Sequence, residues 1–426
     1  ALRILDQGVA ANNPSAPARI YLVLAAVLLV VLVTRRASSR RSDVDVTSSW
    51  TSADEVRPVP RELRSLPVVR IGRIVGPVLL VALAAALPLW LGPSDELKAS
   101  TVAVFCLITL SVVVLTGWAG QVSLGQMSFV AVGAVVGAIA TDTWHVDLSL
   151  AILAAGIAGA IVAVVVGLPA LRLSGLFLAV TTLAFSLACS NFLLNRKEQD
   201  WIPEGAVVPR PLFRRFDLSS EAAKYELVLA VVVLGFLAVA GIRSGRTGRA
   251  LRAARDNERG AAAYSISVVR AKLSAFAISG FLAAVAGCLL VHVNGGYTEK
   301  PFVVSESLGV FTGAVVGGLG SLPGAVLGAL FLNGGQWFLP EEWRLLPSAL
   351  GVLAVLMVLP GGLGGLLYRA RDGWLRSQAK ARGIVVPSLV ADAGGEDAPE
   401  AIKVAMPERP AGLDGAAIDE PVGTAP

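Results

Sequence analysis

Charged residues are scarce in this sequence. Asp, Glu, Lys and Arg make up 16% of the chain and apolar residues 55%, whereas soluble domains carry about 25% charged residues. The composition excludes an ordinary soluble enzyme and is typical of a membrane protein. The net charge of +5 does not indicate nucleic-acid binding, because the basic residues concentrate in a few loops, a pattern of membrane topology.

Other absences narrow the function. The three cysteines, Cys106, Cys189 and Cys288, lie in apolar runs without CxxC spacing, so neither a disulfide framework nor a metal site is indicated. No GxxxxGK[ST] motif occurs, so we expect no nucleotide or other cofactor to be bound by this chain itself. Proton-coupled pumps need charged groups inside their spans, and the interiors of the apolar runs contain no Asp, Glu, Lys or Arg, since Glu306 and His292 lie near predicted ends. The sequence therefore predicts a passive membrane component driven by another subunit.

Long apolar runs dominate what is present. A helix crosses the hydrocarbon with about 20 mostly apolar residues, and several runs reach that length. We predict eleven membrane segments, at residues 20–33, 74–92, 99–117, 122–141, 148–169, 175–194, 225–242, 271–292, 305–320, 323–339 and 345–361. Small residues four apart within them, such as Gly133 and Gly137, favour close helix packing.

Clusters of Lys and Arg predict the topology. Basic residues crowd the stretches 34–73 and 243–272 and follow Tyr368, and such clusters stay in the cytoplasm. Alternating sides at each segment places all three clusters on the cytoplasmic side and the loop 195–224 outside. We expect residues 391–426, rich in Ala, Gly, Pro and acids, to form a disordered cytoplasmic tail.

An uncharged interruption, TGWAGQVSLGQMSFVAVGA at residues 116–134, separates two apolar runs. Gly117 and Gly120 predict a turn. Ser123 and Gln126 have capping-box spacing, in which the Ser side chain accepts from the Gln126 N–H and the Gln side chain reaches back. One interpretation is a capped turn at the membrane edge. The other is a discontinuous helix that presents uncharged N–H donors to a carboxylate.

Hydroxyl groups recur in the run 170–188, where Thr181 and Thr182 lie within a predicted helix. Such side chains bond to their own helix or to a neighbouring one. The two interpretations are structural bonding and the lining of a polar pathway. A Gly-rich stretch at residues 309–332 predicts a tight cytoplasmic turn between two helices of small residues.

The basic loop 241–277 predicts a helix from about residue 249 to residue 265, because its Ala-rich sequence favours helix formation. Arginine recurs every three residues from Arg246 to Arg255, which makes one face basic. That face either contacts lipid phosphates or docks on a cytoplasmic partner. Ala261 and Ala262 would then form a flat surface that packs against a groove in the partner.

Four blocks together resemble one known family. TGWAGQVSLGQMSFVAVGA, LRLSGLFLAVTTLAF, GRALRAARDNERGAAAYSISVVRAKLSAFAISGFLAAVAG and VVGGLGSLPGAVLGA occur in that order, and over about residues 75–368 the chain resembles the LivM-type permease of branched-chain amino acid ABC transporters. The resemblance implies an all-α polytopic membrane protein with about 10 to 11 transmembrane helices, multi-pass in a bacterial inner membrane, with a cytoplasmic C-terminus. It also implies an ABC importer permease without enzymatic activity of its own.

The resemblance implies partners as well. These are a LivH-type permease, two cytoplasmic ATP-binding subunits that use the ATP, an extracytoplasmic substrate-binding protein and the lipid bilayer, with no nucleic acid. The usual cargo of the family is leucine, isoleucine and valine, and related permeases carry urea, short amides or other amino acids. The alternative from another class is a secondary carrier or channel for small polar solutes that works alone, and a structural scaffold is the third.

Functional residues follow by position. The candidate substrate pathway comprises Gly117, Gly120, Gln121, Ser123, Gly125, Gln126, Thr181 and Thr182, of which the first five match a glycine-glutamine-serine-leucine-glycine block of the family. The candidate ATPase coupling segment comprises Arg249, Arg252, Arg255, Asn257, Glu258, Ala261 and Ala262. Gly260 and Ser265 depart from the family pattern there, and the external loop lacks the usual threonine-glycine-glycine block.

The sequence predicts three regions: residues 1–73 form an N-terminal helix and basic linker, residues 74–368 the permease, and residues 369–426 the tail. The run ARIYLVLAAVLLVVLVTRRASSRR near the start is similar to the last membrane segment with its basic exit. We therefore expect residues 1–40 to be the closing helix of a LivH-type half fused upstream.

Overall fold

The fold was analysed in a computed structural model, which describes residues 59–60, 63, 66–170, 176–195, 199–203, 211–213, 215, 217–298, 300–338, 349–359 and 361–382. The predicted segment 20–33, the upstream-fusion hypothesis and the predicted tail 391–426 lie outside the described residues. The predicted division into three regions stays a prediction.

The described residues are almost entirely helical, so the expectation of an all-α polytopic protein is confirmed. The α-helices are α1 Pro67–Ala85, α2 Pro93–Val112, α3 Gln126–Asp142, α4 Leu148–Ala170, α5 Leu176–Ala188, α6 Glu221–Ser244, α7 Arg246–Asp256, α8 Glu258–Ala263, α9 Val268–Asn294, α10 Val304–Gly317, α11 Leu322–Ala329, α12 Gly335–Phe338, α13 Ala349–Val358 and α14 Gly362–Ala381. Short π-helical turns, Val113–Trp118, Cys189–Leu193 and Leu330–Gly334, follow α2, α5 and α11.

Apolar sequence accounts for these helices, since only helices satisfy their own backbone groups within lipid. Ten of the eleven predicted segments contain a helix in the described part of the chain. Five stretches there are long and apolar enough to cross a membrane, Pro67–Leu89, Pro93–Trp118, Leu148–Pro169, Glu221–Ser244 and Val268–Asn294. The remaining apolar helices are shorter, and the predicted total of 10 to 11 spans stays a prediction.

Helix α9 occupies the centre of the larger unit and packs against α2, α3 and α4. Glycines allow these close contacts. A Cβ on Gly133 of α3 would overlap the backbone of Ala284 on α9, and a Cβ on Gly287 of α9 would overlap the carbonyl oxygen of Val130 on α3. Packing of backbone against backbone is how membrane helices associate when apolar burial offers no driving force.

Helices α10 and α11 form the hairpin that the glycine-rich stretch predicts. Gly318 joins them with φ of 100°, a conformation that side chains rarely adopt, and the Ser321 side chain caps α11 by accepting from the Gly324 N–H. The predicted segment 323–339 is helical over its described part, but it is not a regular α-helix throughout. Helix α11 has 8 residues and gives way to a π-helical turn before α12.

A second, smaller compact unit comprises residues 58–74 and 370–426. In its described part, Leu63 and Val69 pack with Leu375 and Ala379 in a small apolar cluster. Gly72 also lies within contact distance of Trp374 in this unit, because a Cβ there would be 3.6 Å from the Trp ring. Two regions about 300 residues apart in the sequence therefore form this unit together. Their contact closes a long loop of the chain.

Candidate functional site

The uncharged interruption in the sequence forms the connection between α2 and α3. After the π-helical turn Val113–Trp118, Gly120 turns the chain with φ of 67°, a value that favours glycine. Residues 121–125 then run without helical structure until α3 begins at Gln126. The predicted turn is confirmed at Gly120, whereas Gly117 lies within the π-helical turn, where a Cβ would overlap the carbonyl of Leu319.

The predicted capping box is wrong. Gly125 is the residue that precedes the first turn of α3, and no side chain caps that turn. The Ser123 hydroxyl has no hydrogen-bond partner. Gln126 does not reach back to Ser123, since its amide nitrogen donates to Ser111 Oγ at 2.6 Å and to Ser279 Oγ at 3.0 Å. The bonds to the two serines are favoured over the predicted capping bond because they satisfy three buried polar groups at once.

These bonds place the start of α3 inside the bundle. Ser279 lies 8 residues into the predicted segment 271–292, which at the α-helical rise is about 12 Å, well inside a 30 Å hydrocarbon core. Ser123 and Gln126 are each only 1% exposed. The geometry therefore matches the discontinuous-helix interpretation rather than a turn at the membrane edge. Non-helical backbone at such depth is tolerated only where protein or a polar cavity surrounds it.

Hydroxyl groups from two other helices satisfy two backbone donors at this break. The Leu124 N–H donates to Thr182 Oγ1 on α5 at 3.0 Å, and the Met127 N–H donates to Ser307 Oγ on α10 at 3.0 Å. Two of the donors that one sequence interpretation presents to a carboxylate are thus occupied in this conformation. Movement of α5 and α10 away from α3 would free them.

The neighbouring candidate residues have separate roles. Thr181 donates to Phe177 O on its own helix at 2.8 Å, the structural bonding considered for it. Thr182, in contrast, contacts the residues of the break. Its hydroxyl accepts from the Leu124 N–H, and a Cβ on Gly125 would overlap its carbonyl. The Gln121 amide donates to Ala119 O at 3.1 Å and stabilises the turn. The structure therefore brings Ser123, Gly125, Gln126 and Thr182 together and leaves Thr181 and Gln121 in local bonds.

The candidate coupling segment is two helices, not the one predicted over 249–265. Helix α7 ends at Asp256 and α8 begins at Glu258. Asn257 makes the break, because its backbone is extended and its side chain accepts from the Gly260 N–H at 2.8 Å. Asn is among the best residues for this capping position, and a side chain that caps locally competes with helix continuation.

One arginine links α7 to the break in the α2–α3 connection. Arg255 Nη1 donates to the carbonyl oxygen of Gly117 at 2.6 Å, and Arg255 Nε donates to Asp256 Oδ1 at 2.9 Å. The aliphatic part of Arg255 lies against Gly120, where a Cβ would come within 2.9 Å of Arg255 Cγ. Nearby, the guanidinium of Arg243 lies 5.7 Å from the Trp118 ring centroid, a cation–π contact.

A second contact joins α8 to the base of α9. Lys272 is buried and its Nζ lies 2.5 Å from Glu258 Oε1, whose side chain is exposed. The other candidates bond locally, since Arg249 donates to Ser244 O and Arg252 to Gly248 O. The two alanines differ, because Ala261 is buried and Ala262 is exposed.

The sequence interpretation missed several residues of this site. Ser111, Ser279 and Ser307 lie singly in apolar runs, a pattern equally typical of serines bonded to their own helix. In the sequence, Lys272 is one more residue of the basic cluster 243–272 that predicts the topology. Each of these residues bonds to a partner at least 14 positions away in the sequence. No local sequence pattern therefore predicts their roles.

Removal of the Ser307 hydroxyl tests this network. Ser307→Ala leaves the buried Met127 N–H without an acceptor, and an unsatisfied buried polar group costs about 1–3 kcal/mol. We expect a lower Tm for the purified permease complex carrying S307A. Ser305→Ala is the matched control, because Ser305 lies on the same helix with an exposed side chain. Equal Tm values for the two variants would contradict the network.

Comparison with known proteins identifies the family. A model of the family described as "Branched-chain amino acid transport system / permease component" matches residues 98–339, which contain the break, the coupling segment and the α10–α11 hairpin. The chain belongs to this family. It is a multi-pass membrane permease component, as the resemblance of its four blocks implies.

Individual relatives agree with the family assignment. The high-affinity branched-chain amino acid transport system permease protein LivM of Escherichia coli (strain K12) is 28% identical over 312 residues, 67% of this chain and 73% of the relative. LivM of Salmonella typhimurium is 28% identical over 310 residues. LivH of Salmonella typhimurium is 35% identical over 129 residues, 29% of this chain and 41% of the relative. No solved structure matches the chain.

Proposed function

We propose that this permease component imports branched-chain amino acids as part of an ATP-driven ABC importer. The cargo is leucine, isoleucine or valine, or a small amino acid or amide of similar size. The permease lies in the inner membrane of a bacterium with its C-terminus in the cytoplasm. The family match and the names of the LivM relatives support this cargo.

The proposed assembly contains a second permease and subunits that supply energy and substrate. LivH relatives also match part of the chain, which supports pairing with a LivH-type permease. Two cytoplasmic ATP-binding subunits bind and hydrolyse ATP, and an extracytoplasmic protein delivers the substrate. This chain supplies the pathway and no catalysis, and it binds no cofactor of its own.

The proposed pathway passes the start of α3. Ser123, Gly125, Gln126 and Thr182 surround uncharged backbone at the middle of the bundle. Discontinuous helices supply binding groups at this depth in other transporters. A site of neutral groups binds a zwitterion and releases it more readily than a fixed charge would.

The proposed coupling mechanism is mechanical, and the bond between Arg255 and Gly117 is the observation that carries it. Helices α7 and α8 dock on an ATP-binding subunit. A displacement of α7 then pulls on the carbonyl of Gly117 through a charge-assisted hydrogen bond. Gly117 lies close to Leu319 and to Arg255. The alternating topology assigns the connections that contain these three residues to the cytoplasm.

Uptake by the reconstituted complex tests the function. The permease, its LivH-type partner and the ATP-binding subunits are placed in proteoliposomes with loaded binding protein outside. We expect labelled leucine to accumulate only when the ATP-binding subunits have access to ATP. The control is an ATP-binding subunit with a disabled catalytic site, which should abolish accumulation. Absence of leucine, isoleucine and valine uptake with ATP present would contradict the proposal.

The alternative, a secondary carrier or channel that works alone, makes the opposite prediction. Liposomes that contain this chain without partners or nucleotide would then transport small polar solutes. The family match and the LivM relatives favour the importer.

A further inference from the structure

We propose that Ser123 Oγ and Gln126 Oε1 form an acceptor pair that binds the protonated amine of the transported solute. This inference rests on the proposed function and deepens it, because it assigns a chemical group of the substrate to named atoms. One of the two sequence interpretations presents backbone donors at the break to a carboxylate. The structure points to the other end of the zwitterion.

The orientation of the Gln126 amide follows from its two neighbours. Ser279 Oγ donates its proton to Ser111 O at 2.9 Å, and Ser111 Oγ donates its proton to Ile108 O at 2.5 Å. A hydroxyl has one proton, so both serines are left with acceptor capacity only. They must therefore meet the NH₂ group of Gln126, and the amide oxygen faces away from them.

That amide oxygen has no partner. Gln126 Oε1 and Ser123 Oγ are both buried without a hydrogen bond among the described residues, and both residues are 1% exposed. Buried polar atoms are nearly always bonded, so two unpartnered ones three positions apart need an explanation. Two backbone donors beside them, the Leu124 and Met127 N–H groups, are already bonded to Thr182 and Ser307. Gln126 Oε1 can only accept a hydrogen bond, and Ser123 Oγ can accept one as well as donate its own proton.

A group that donates several hydrogen bonds complements this arrangement. An alkylammonium carries three N–H donors and no acceptor. The helix start of α3 has partial positive character, which opposes a cation, but its Met127 N–H is already bonded to a hydroxyl oxygen of α10. Neutral acceptors hold an amine without the trapping that a buried carboxylate would cause. The amine reaches the pair when the bundle opens during the transport cycle.

Competition with half-substrates tests the chemistry. Binding of labelled leucine to the purified full complex is measured against 3-methylbutylamine, which keeps the amine and side chain, and against 4-methylpentanoate, which keeps the carboxylate. We expect the amine to compete at least tenfold more strongly than the acid. Stronger competition by the acid would overturn the inference.

A matched pair of variants ties the amine to the atoms. Ser123→Thr keeps a hydroxyl, and Ser123→Val has nearly the same volume without one. We expect S123T to retain competition by 3-methylbutylamine and S123V to weaken it at least fivefold. Equal competition in both variants would overturn the assignment. Ser123→Ala breaks no hydrogen bond, so it replaces this pair of variants if S123T and S123V both fail to fold. Its control is Ser100→Ala, since the Ser100 hydroxyl bonds within α2.

The outcomes separate this inference from the proposed function. If wild-type complex takes up no branched-chain amino acid, the function fails and the inference fails with it. If uptake is ATP-dependent and the amine does not compete, the function stands and the acceptor pair is wrong.

Discussion

Gly287→Ala should abolish recovery of folded permease. The added Cβ would overlap the carbonyl oxygen of Val130 and approach the Ala134 nitrogen, both of which are backbone atoms of α3 that cannot rotate away. Overpacking a core costs about 1–3 kcal/mol when side chains can adjust, and occasionally more. Here α3 itself must move away from α9, so we expect about 3 kcal/mol or more. The displacement also pulls Gln126 from Ser279.

Recovery after detergent extraction measures this effect. We expect the monodisperse fraction of G287A, followed by size-exclusion chromatography, to fall below about a tenth of the wild-type value, in keeping with a large loss of stability. Gly241→Ala in α6 is the matched control, because no atom lies within 4 Å of its added Cβ and Ala favours a helix over Gly by about 1 kcal/mol. Wild-type recovery of G287A would show that the α3–α9 contact is looser than described.

Arg255→Ala should uncouple ATP hydrolysis from uptake while the complex stays assembled. The change removes the bond to the Gly117 carbonyl and leaves the remainder of α7 and α8 in place. A contact transmits at most its own free energy between two sites. Hydrogen bonds to charged groups contribute about 1.5–3 kcal/mol, and 1.4 kcal/mol corresponds to about tenfold. We therefore expect a loss of about tenfold or more in the ratio of leucine transported to ATP hydrolysed.

The measurement is uptake and hydrolysis on the same proteoliposomes. Arg270→Ala controls for loss of one positive charge from the same loop, because Arg270 is exposed at the start of α9. Arg255→Lys keeps the charge without the planar guanidinium and should recover only part of the coupling. When Glu258 is replaced together with Arg255, co-purification of the ATP-binding subunits should fall as well. An unchanged transport ratio in R255A would contradict the proposed link.

Some of this site follows from sequence alone. The glycines at 117 and 120 and the absence of charge in TGWAGQVSLGQMSFVAVGA predict a break between two helices, and the break is there. The regular arginines predict a basic helical segment after α6, which α7 provides. These features are local, because turn formation and helix propensity depend on residues close together in the chain.

The predicted capping box fails for a physical reason. The Ser123–Gln126 spacing satisfies a local capping rule, yet Gln126 bonds to serines 15 positions before it and 153 positions after it. Local propensities are worth tenths of a kcal/mol to about 1 kcal/mol, whereas an unsatisfied buried polar group costs about 1–3 kcal/mol. Burial therefore overrides the local rule. At Asn257 the cause is local instead, because its exposed side chain caps α8 by accepting from the Gly260 N–H and so divides the predicted coupling helix into α7 and α8.

The sequence by itself determined that this protein is a helical membrane permease, where its apolar segments lie, and that the chain breaks near Gly120. Only the tertiary structure decided how deep that break lies, which hydroxyls occupy its donors, and that Arg255 reaches the carbonyl of Gly117. Hydropathy and turn propensity act within one segment, so they can be read along the chain. The depth and partners of a polar group depend on which helices pack against it, and α5, α9 and α10 meet α3 only after the bundle has formed.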